Sequence, residues 1–395
     1  MYNQLFLLTL VICSTAVTGD INSTAIIEDL SELVLGTTDL DFDVEDYVNG
    51  YGYPFEEYEV ETEDGYLLTV HRIPYGQNSS AEEGRPVALL MHGLVASSAD
   101  FLFVGPNRSL ALLLADEGYD VWLGNCRGNT FSRKHVTLDP DTSEAYWNFS
   151  FHEIGIYDLP AIISEIENVT GVLNISYVGH SQGCTIFYIL TSLKPEYNDR
   201  ILFHVSLAPA LVTSLLGNIE VLRHTPLLTI LLTIFCRDGS ILQPICLVLI
   251  SAFGGPTDQI VTSDLSTIVK AYPAGSSLKQ LKHFLQSMET DDFRQYDYGL
   301  IGNLLKYKQL ISPEYPLENV TVPVAIFNGG NDVLVSPPDI PLLVQRLPNV
   351  VNSTQIDGFN HLDFMIGRDA PSLVYSVVIS LMNSYSGLGT KHFHA

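Results

Sequence analysis

The run Gly179-His180-Ser181-Gln182-Gly183 sets a serine between two glycines, each one residue removed from it. A serine hydroxyl attacks a carbonyl only when a base takes its proton, so this motif calls for a histidine and a supporting carboxylate elsewhere. The apolar residues 175–178 read as a strand running into the motif, and 182–193 read as a helix running out of it. That strand–turn–helix setting is what an exposed nucleophile needs, and small flanking residues let the turn close without collision. With a nucleophile so placed, the expected order along the chain is serine, carboxylate, histidine.

Six histidines follow Ser181. His204 lies within a strand, His224 and His283 lie in a long interruption, and His392 and His394 lie in the C-terminal tail. His361 sits in the loop Asp357-Gly358-Phe359-Asn360-His361, between a strand and the last helix, and is the expected base. For the acid, 324–327 reads as a strand that ends in Asn328-Gly329-Gly330-Asn331-Asp332, a turn able to present Asp332 beneath the imidazole. Asp357 and Asp363 flank His361 too closely along the chain to point at it, and Asp339 faces a helix start. The negative charge of a tetrahedral intermediate requires donors as well. The backbone N–H of Gln182 is one candidate, and the N–H of Leu94 in Met91-His92-Gly93-Leu94 is the second.

These residues need a scaffold. From residue 87 onward, short apolar strands (87–91, 119–123, 175–178, 201–207, 324–327, 351–356) alternate with helical patterns at 156–167, 182–193, 340–347 and 372–382. Such alternation predicts an α/β fold with a mostly parallel central sheet and helices on both faces. Residues 212–320 interrupt it with two very apolar runs, 226–236 and 241–253, both too short to span a bilayer; Pro244 breaks the second. A buried helical insertion over the carboxyl end of the sheet is the expectation. The chain thus divides into an expected signal peptide at 1–19, a core at 20–211, a cap or lid at 212–320, and the rest of the core at 321–395.

The hydrophobic fraction of 46% allows a sizeable core in 395 residues. The 45 acidic residues against 19 basic ones leave a net charge of −26, which repels phosphate backbones and argues against nucleic acid as a partner. That acidity serves solubility or suits an acidic lumen. The apolar run 5–13, followed by small residues to Gly19, reads as a secretory signal, although no basic residue precedes it. Eight Asn-x-Ser/Thr sequons agree with that route: Asn22, Asn78, Asn107, Asn148, Asn168, Asn174, Asn319 and Asn352. Cys236 and Cys246 are near enough in sequence to close a short loop, whereas Cys126 and Cys184 lie in apolar contexts that suit buried thiols. No cysteine or histidine cluster has metal-ligand spacing, and no cofactor is expected.

The segments Tyr53-Pro54-Phe55-Glu56-Glu57-Tyr58, Thr62-Glu63-Asp64-Gly65-Tyr66, His92-Gly93-Leu94 and Gly124-Asn125-Cys126-Arg127-Gly128-Asn129 resemble those of the acid lipases, a family that includes gastric and lysosomal enzymes and insect lipase 3-like proteins. The run from Gly179 to Gly183, Asn328-Gly329-Gly330-Asn331-Asp332 and Asn360-His361-Leu362-Asp363-Phe364 extend the likeness over nearly the whole chain after the signal. The resemblance implies an α/β-hydrolase fold with a cap, a Ser181–Asp332–His361 triad, and an oxyanion hole at Leu94 and Gln182. It also implies hydrolysis of triacylglycerols or sterol esters without a cofactor, at a lipid–water interface, by a secreted or lysosomal protein. Cys236 and Cys246 look like the family's disulfide pair. Cys126 departs from the family's usual serine, and Ser336 from a common aspartate. Two other readings stay open: a carboxylesterase for small soluble esters, and a lipid-binding homologue without catalysis.

Overall fold

Apolar runs with no polar alternation belong in strands covered on both faces, and strands with charged residues at every second position belong at an edge. Both kinds occur in the computed structural model, which describes residues 41–210, 220–221, 226–290 and 292–388. The expected signal at 1–19, Asn22, His224, His392, His394 and the boundary at 212 lie outside the described residues.

Helix α1 (Val44–Gly50) precedes a hairpin of β1 (Glu56–Glu61) and β2 (Tyr66–Ile73). Then come β3 (Val87–Met91), α2 (Leu110–Glu117), β4 (Asp120–Gly124) and the two-residue β5 (Lys134–His135). Helix α3 (Leu159–Thr170), β6 (Ile175–His180), α4 (Gln182–Leu193) and β7 (Ile201–Leu207) continue the alternation. Between β7 and the next strand of the main sheet lie β8 (Glu220–Val221), α5 (Pro226–Cys236), α6 (Gln243–Gly254), α7 (Leu265–Ala271), β9 (Ser276–Ser277), α8 (Leu278–Thr290) and α9 (Gly299–Tyr307). The chain ends with β10 (Val324–Gly329), α10 (Asp339–Arg346), β11 (Val350–Ile356) and α11 (Ser376–Ser386).

The main sheet runs β1-β2-β4-β3-β6-β7-β10-β11, with β5 paired to β2. From β4 to β11 every pairing is parallel, and β1 and β2 join antiparallel at one side. Every residue of β3, β4, β6 and β10 is buried. Alternate side chains feed the two faces. Leu89, Met91, Trp122, Tyr177 and Ile326 pack with Ile162 of α3 and Leu190 of α4. Leu90, Val121, Val178, Val205 and Phe327 pack with Leu114 of α2 and Ile379 of α11. The α/β expectation with helices on both faces is met. The hairpin β1–β2 was not anticipated: Glu56, Glu57, Glu59 and Glu61 make β1 read as a polar segment, yet it is the outermost strand, where charge discourages further strand pairing.

Two helices begin later than their sequence pattern suggests. A π-helical turn, Ile154–Asp158, precedes α3, and another, Pro371–Tyr375, precedes α11. In the first, a Cβ added at Gly155 would lie 2.7 Å from Ile189, so the turn packs directly on α4.

In the segment between β7 and β10, Cys236 at the end of α5 is bonded to Cys246 in α6, with the Cα atoms 5.2 Å apart. These cysteines pack with Leu265 and Val269 of α7. Cys126 and Cys184 are buried free thiols. Helix α6 is less buried than the sequence reading expects: Val248 is 65% and Leu249 57% exposed. Among the described residues, no helix is long and apolar enough to cross a membrane.

Candidate active site

Parallel strands deliver the loops that follow them to one edge of the sheet, and the candidate residues all sit on such loops. Leu94 follows β3, Ser181 follows β6, Asp332 follows β10 and His361 follows β11. Registers hold the first two together, since Met91 pairs with Gly179.

Ser181 has φ 53° and ψ −117°, a left-handed φ that costs a residue with a side chain of order 1–3 kcal/mol. Its neighbours explain why the motif is bounded by glycine. A Cβ at Gly183 would lie 2.1 Å from the Met91 carbonyl oxygen, and one at Gly179 would lie 2.6 Å from the Gly183 backbone. The Ser181 N–H donates to the Leu207 carbonyl at 2.9 Å, tying the turn to the end of β7.

His361 Nε2 lies 2.8 Å from Ser181 Oγ, and its Nδ1 lies 2.8 Å from Asp332 Oδ2. The other carboxylate oxygen, Oδ1, accepts the N–H groups of Leu334 at 2.9 Å and Val335 at 2.8 Å. Both oxygens are thus committed, and the side chain is fully buried. With Asp332 as a carboxylate, Nδ1 carries the imidazole proton and leaves Nε2 to accept from the serine hydroxyl. The rival acids point elsewhere. Asp363 Oδ2 accepts from the Asn360 N–H and from Thr257 Oγ1, and Asp357 Oδ1 accepts from Gln355. His204 and His283 are buried among aromatic rings, where burial pulls each down to about 3.

The loop carrying Gly93 and Leu94 comes close to the serine. A Cβ at Gly93 would lie 3.2 Å from the Ser181 Cβ, which shows how closely that loop approaches. Gln182 opens α4, so its N–H belongs to the first turn, whose donors have no partner within the helix. His92 is a residue the motif reading left without a role. Its Nε2 accepts from the Cys126 N–H at 3.0 Å and is 3.2 Å from Asn129 Nδ2, so Nδ1 bears the proton and donates to the Gly93 carbonyl at 2.8 Å. Holding that carbonyl fixes the peptide whose opposite edge is the Leu94 N–H. Burial, offset in part by the Gly93 bond, pulls His92 down to about 4 and keeps it neutral. Behind it, the buried Arg127 guanidinium grips Asp158 and Asp64 and stacks 3.9 Å over the Tyr66 ring, which anchors the Cys126 loop.

Further supports also escape a one-dimensional reading. His180 Nε2 bonds the His361 carbonyl oxygen at 3.0 Å, and burial, with the nearby His361 next, pulls His180 down to about 3. A carbonyl oxygen only accepts, so Nε2–H is the donor in that bond. The end of α6 and the residues just after it are bonded to the loops of both Asp332 and His361. His361 N–H donates to the Gly254 carbonyl at 3.1 Å, Asn360 Nδ2 to the Gly255 carbonyl at 2.8 Å, and Asn331 Nδ2 to the Pro256 carbonyl at 3.1 Å. Thr257 Oγ1 donates to Asp363 at 2.8 Å. The only hint of this in the sequence is the asparagine just before Asp332 and the one just before His361.

Residues 44–105 match the family described as a partial α/β-hydrolase lipase region, and residues 86–221 match the α/β hydrolase fold. The chain is 40% identical to gastric triacylglycerol lipase of Rattus norvegicus, over 88% of this chain and 93% of that one. It is 39% identical to the Homo sapiens gastric triacylglycerol lipase over 88% and 92%, and 38% identical to Lipase 1 of Drosophila melanogaster over 86% and 79%. Among solved structures, a thermophilic esterase from Thermogutta terrifontis superposes with a TM-score of 0.51 at 13% identity, covering 84% of this chain and 99% of that one. A peroxisomal α/β-hydrolase from Saccharomyces cerevisiae gives 0.51 at 14%, covering 87% and 92%. These two likenesses concern the fold alone. The chain belongs to the α/β-hydrolase lipases, in the family of the gastric triacylglycerol lipases.

Proposed function

We propose that the protein is a serine-dependent lipase that hydrolyses ester bonds of neutral lipids, triacylglycerols and sterol esters among them, through an acyl-enzyme. The observation that carries this is the hydrogen-bonded series Ser181–His361–Asp332, with the serine on a strained turn at the carboxyl end of the sheet. His361 takes the Ser181 proton as the oxygen attacks the ester carbonyl. Asp332 holds the tautomer and stabilises the imidazolium, while the Leu94 and Gln182 N–H groups donate to the negatively charged carbonyl oxygen. His361 returns its proton to the departing alcohol, and the same base then activates water to release the fatty acid.

The substrate class rests on the relatives' names and on the apolar character of the segment between β7 and β10, read here as a cap. Val248, Leu249 and Phe253 of α6 are exposed apolar side chains on the helix whose end bonds the His361 loop. Such a surface suits contact with lipid. The sequons and the apolar N-terminus support passage through the secretory route to a lysosomal or extracellular site.

The test uses the parent protein and Ser181→Ala on emulsified triolein and on a soluble short-chain ester, with a serine-directed phosphonate as label. Turnover and labelling lost together in Ser181→Ala are expected. Turnover that survives the substitution sinks the nucleophile. Rates that rise only for soluble esters, with no gain above the solubility limit of a longer one, favour the carboxylesterase reading. No labelling of the parent at Ser181 favours a binding protein.

A further inference from the structure

Helix α9 is built inside out. Asn303 is its one buried residue, where Nδ2 donates to Asp297 Oδ1 at 2.7 Å and to the Leu310 carbonyl at 3.0 Å, and Oδ1 accepts the Tyr298 N–H at 2.9 Å. The large apolar side chains face away from the protein. Ile301 is 76% exposed, Leu305 70% and Leu300 67%, and Leu304, Leu310 and Ile311 are exposed as well. Leu300 and Leu304, like Ile301 and Leu305, are four residues apart and share a helix face. Scattered exposed leucines are ordinary, but six large apolar residues exposed within twelve consecutive positions mark an interaction surface.

The charge on this patch departs from the rest of the chain. No Asp or Glu falls between Asp297 and Glu314, whereas Lys306 and Lys308 do, in a protein whose acidic residues outnumber its basic ones 45 to 19. The bordering carboxylates are engaged: Asp297 by Asn303 and the Gly299 N–H, Glu314 by Arg294 and Arg346. Lys308 occupies the left-handed C-cap of α9 at φ 62°, a position that glycine fills at lower cost. Both lysines are exposed, with Lys306 Nζ 5.7 Å from the Tyr298 ring and Lys308 Nζ donating to the Leu305 carbonyl at 2.9 Å. The sequons also avoid this region, since none occurs between Asn174 and Asn319.

We propose that α9 with Leu310 and Ile311 is a docking surface for an anionic lipid layer, one enriched in ionised fatty acid. The leucines and isoleucines insert among acyl chains, and Lys306 and Lys308 meet the carboxylates at the surface. This surface deepens the lipase reading, on which it rests only for the origin of the fatty acid, the product that esterolysis leaves at the interface. A second copy of the chain is the competing occupant. It has no acidic complement to the lysines in this segment, and a self-paired patch would bring Lys306 and Lys308 of two copies together.

The experiment is flotation of the protein with phosphatidylcholine vesicles, plain or doped with oleate, at low salt. The variants are Ile301→Ser with Leu305→Ser, and Lys306→Gln with Lys308→Gln, both on exposed positions. The parent is expected to float with doped vesicles in preference to plain ones. The lysine pair should lose roughly ten- to thirty-fold of its partition on doped vesicles, and nothing on plain ones. The apolar pair should lose binding to both, and each variant should hydrolyse a soluble ester as the parent does. Variants that float like the parent overturn the proposal. So does a parent that sediments as a dimer which the apolar pair dissociates, since the patch is then a self-association face. A parent that floats as expected but hydrolyses no ester sinks the lipase reading and leaves the surface standing.

Discussion

Asp332→Asn is the sharpest test of the proposed relay, because the structure fixes how the amide must sit. Oδ1 accepts two backbone N–H groups, from Leu334 and Val335, so the asparagine oxygen has to occupy that position. Turning the amide over would face its NH₂ against two donors, at a cost of about 1–3 kcal/mol for each group left unpaired. The NH₂ is therefore held at the Oδ2 position, 2.8 Å from His361 Nδ1. There it donates to Nδ1 and moves the imidazole proton to Nε2, the atom that must accept from Ser181 Oγ. The backbone bonds and the side-chain volume are kept, so folding should be little disturbed. Loss of the correct tautomer is worth about 10⁴-fold in kcat, or about 5.5 kcal/mol of barrier. KM should stay near the parent value, because the substrate does not touch Asp332. The assay is kcat and KM on a soluble short-chain ester below its solubility limit, with phosphonate labelling rates and a thermal melt alongside. A folded variant whose kcat stays within about tenfold of the parent would refute the reasoning. So would a loss of the same size in Asp363→Asn, whose carboxylate faces Thr257 and the Asn360 N–H rather than the imidazole.

Two further outcomes follow from buried groups around the site. His92→Leu leaves the Gly93 carbonyl and the Cys126 N–H without partners, and kcat on the soluble ester should fall about 10²-fold with KM little changed. A folded variant with unaltered kcat would show that the Leu94 amide does not depend on His92. Asp100, which caps its short helical turn through Ser97, is raised by burial to about 7, with the Ser97 backbone bond opposing. The folded protein keeps a proton there that the unfolded chain releases above its ordinary pKa near 4. This contribution to stability, on the order of 4 kcal/mol, is whole below about pH 4 and lost as pH rises through about 7. Urea midpoints of the parent should fall across that window, and those of Asp100→Asn should lack this slope; parallel profiles would count against it.

The candidate residues Ser181, His361 and Asp332 were legible because short-range chemistry marks them: glycines where backbones touch, a strand before each loop, and an order imposed by the sheet. The parallel strands were legible through unbroken apolar runs. The antiparallel β1 was not, since an edge strand bearing Glu56, Glu57, Glu59 and Glu61 has the composition of a loop. The late starts of α3 and α11 follow from π turns, and the first of these packs at Gly155 against Ile189, a tertiary contact that no local pattern reports. The supports of the site were illegible for a related reason. His180 meets the His361 backbone across 181 residues, and Asn360 meets Gly255 across 105. Helix α9 misleads by composition, since its leucines suggest burial while its only buried side chain is Asn303.

The bonds from Gly254, Gly255, Pro256 and Thr257 to the loops of Asp332 and His361 bear on how such enzymes can be recombined. A cap that merely rested on its core could be exchanged as a cassette, with junctions anywhere in the flanking loops. Here residues 254–257 lie inside the segment between β7 and β10, so an exchange of that segment has to keep these four residues matched to the recipient's Asp332 and His361 loops. Gly255 narrows the choice further, because a side chain there would lie 2.0 Å from the Asn331 carbonyl oxygen. Chimeras that retain these residues keep the fastening of the Asp332 and His361 loops under a foreign segment. Those that replace them carry a mismatched fastening to both loops.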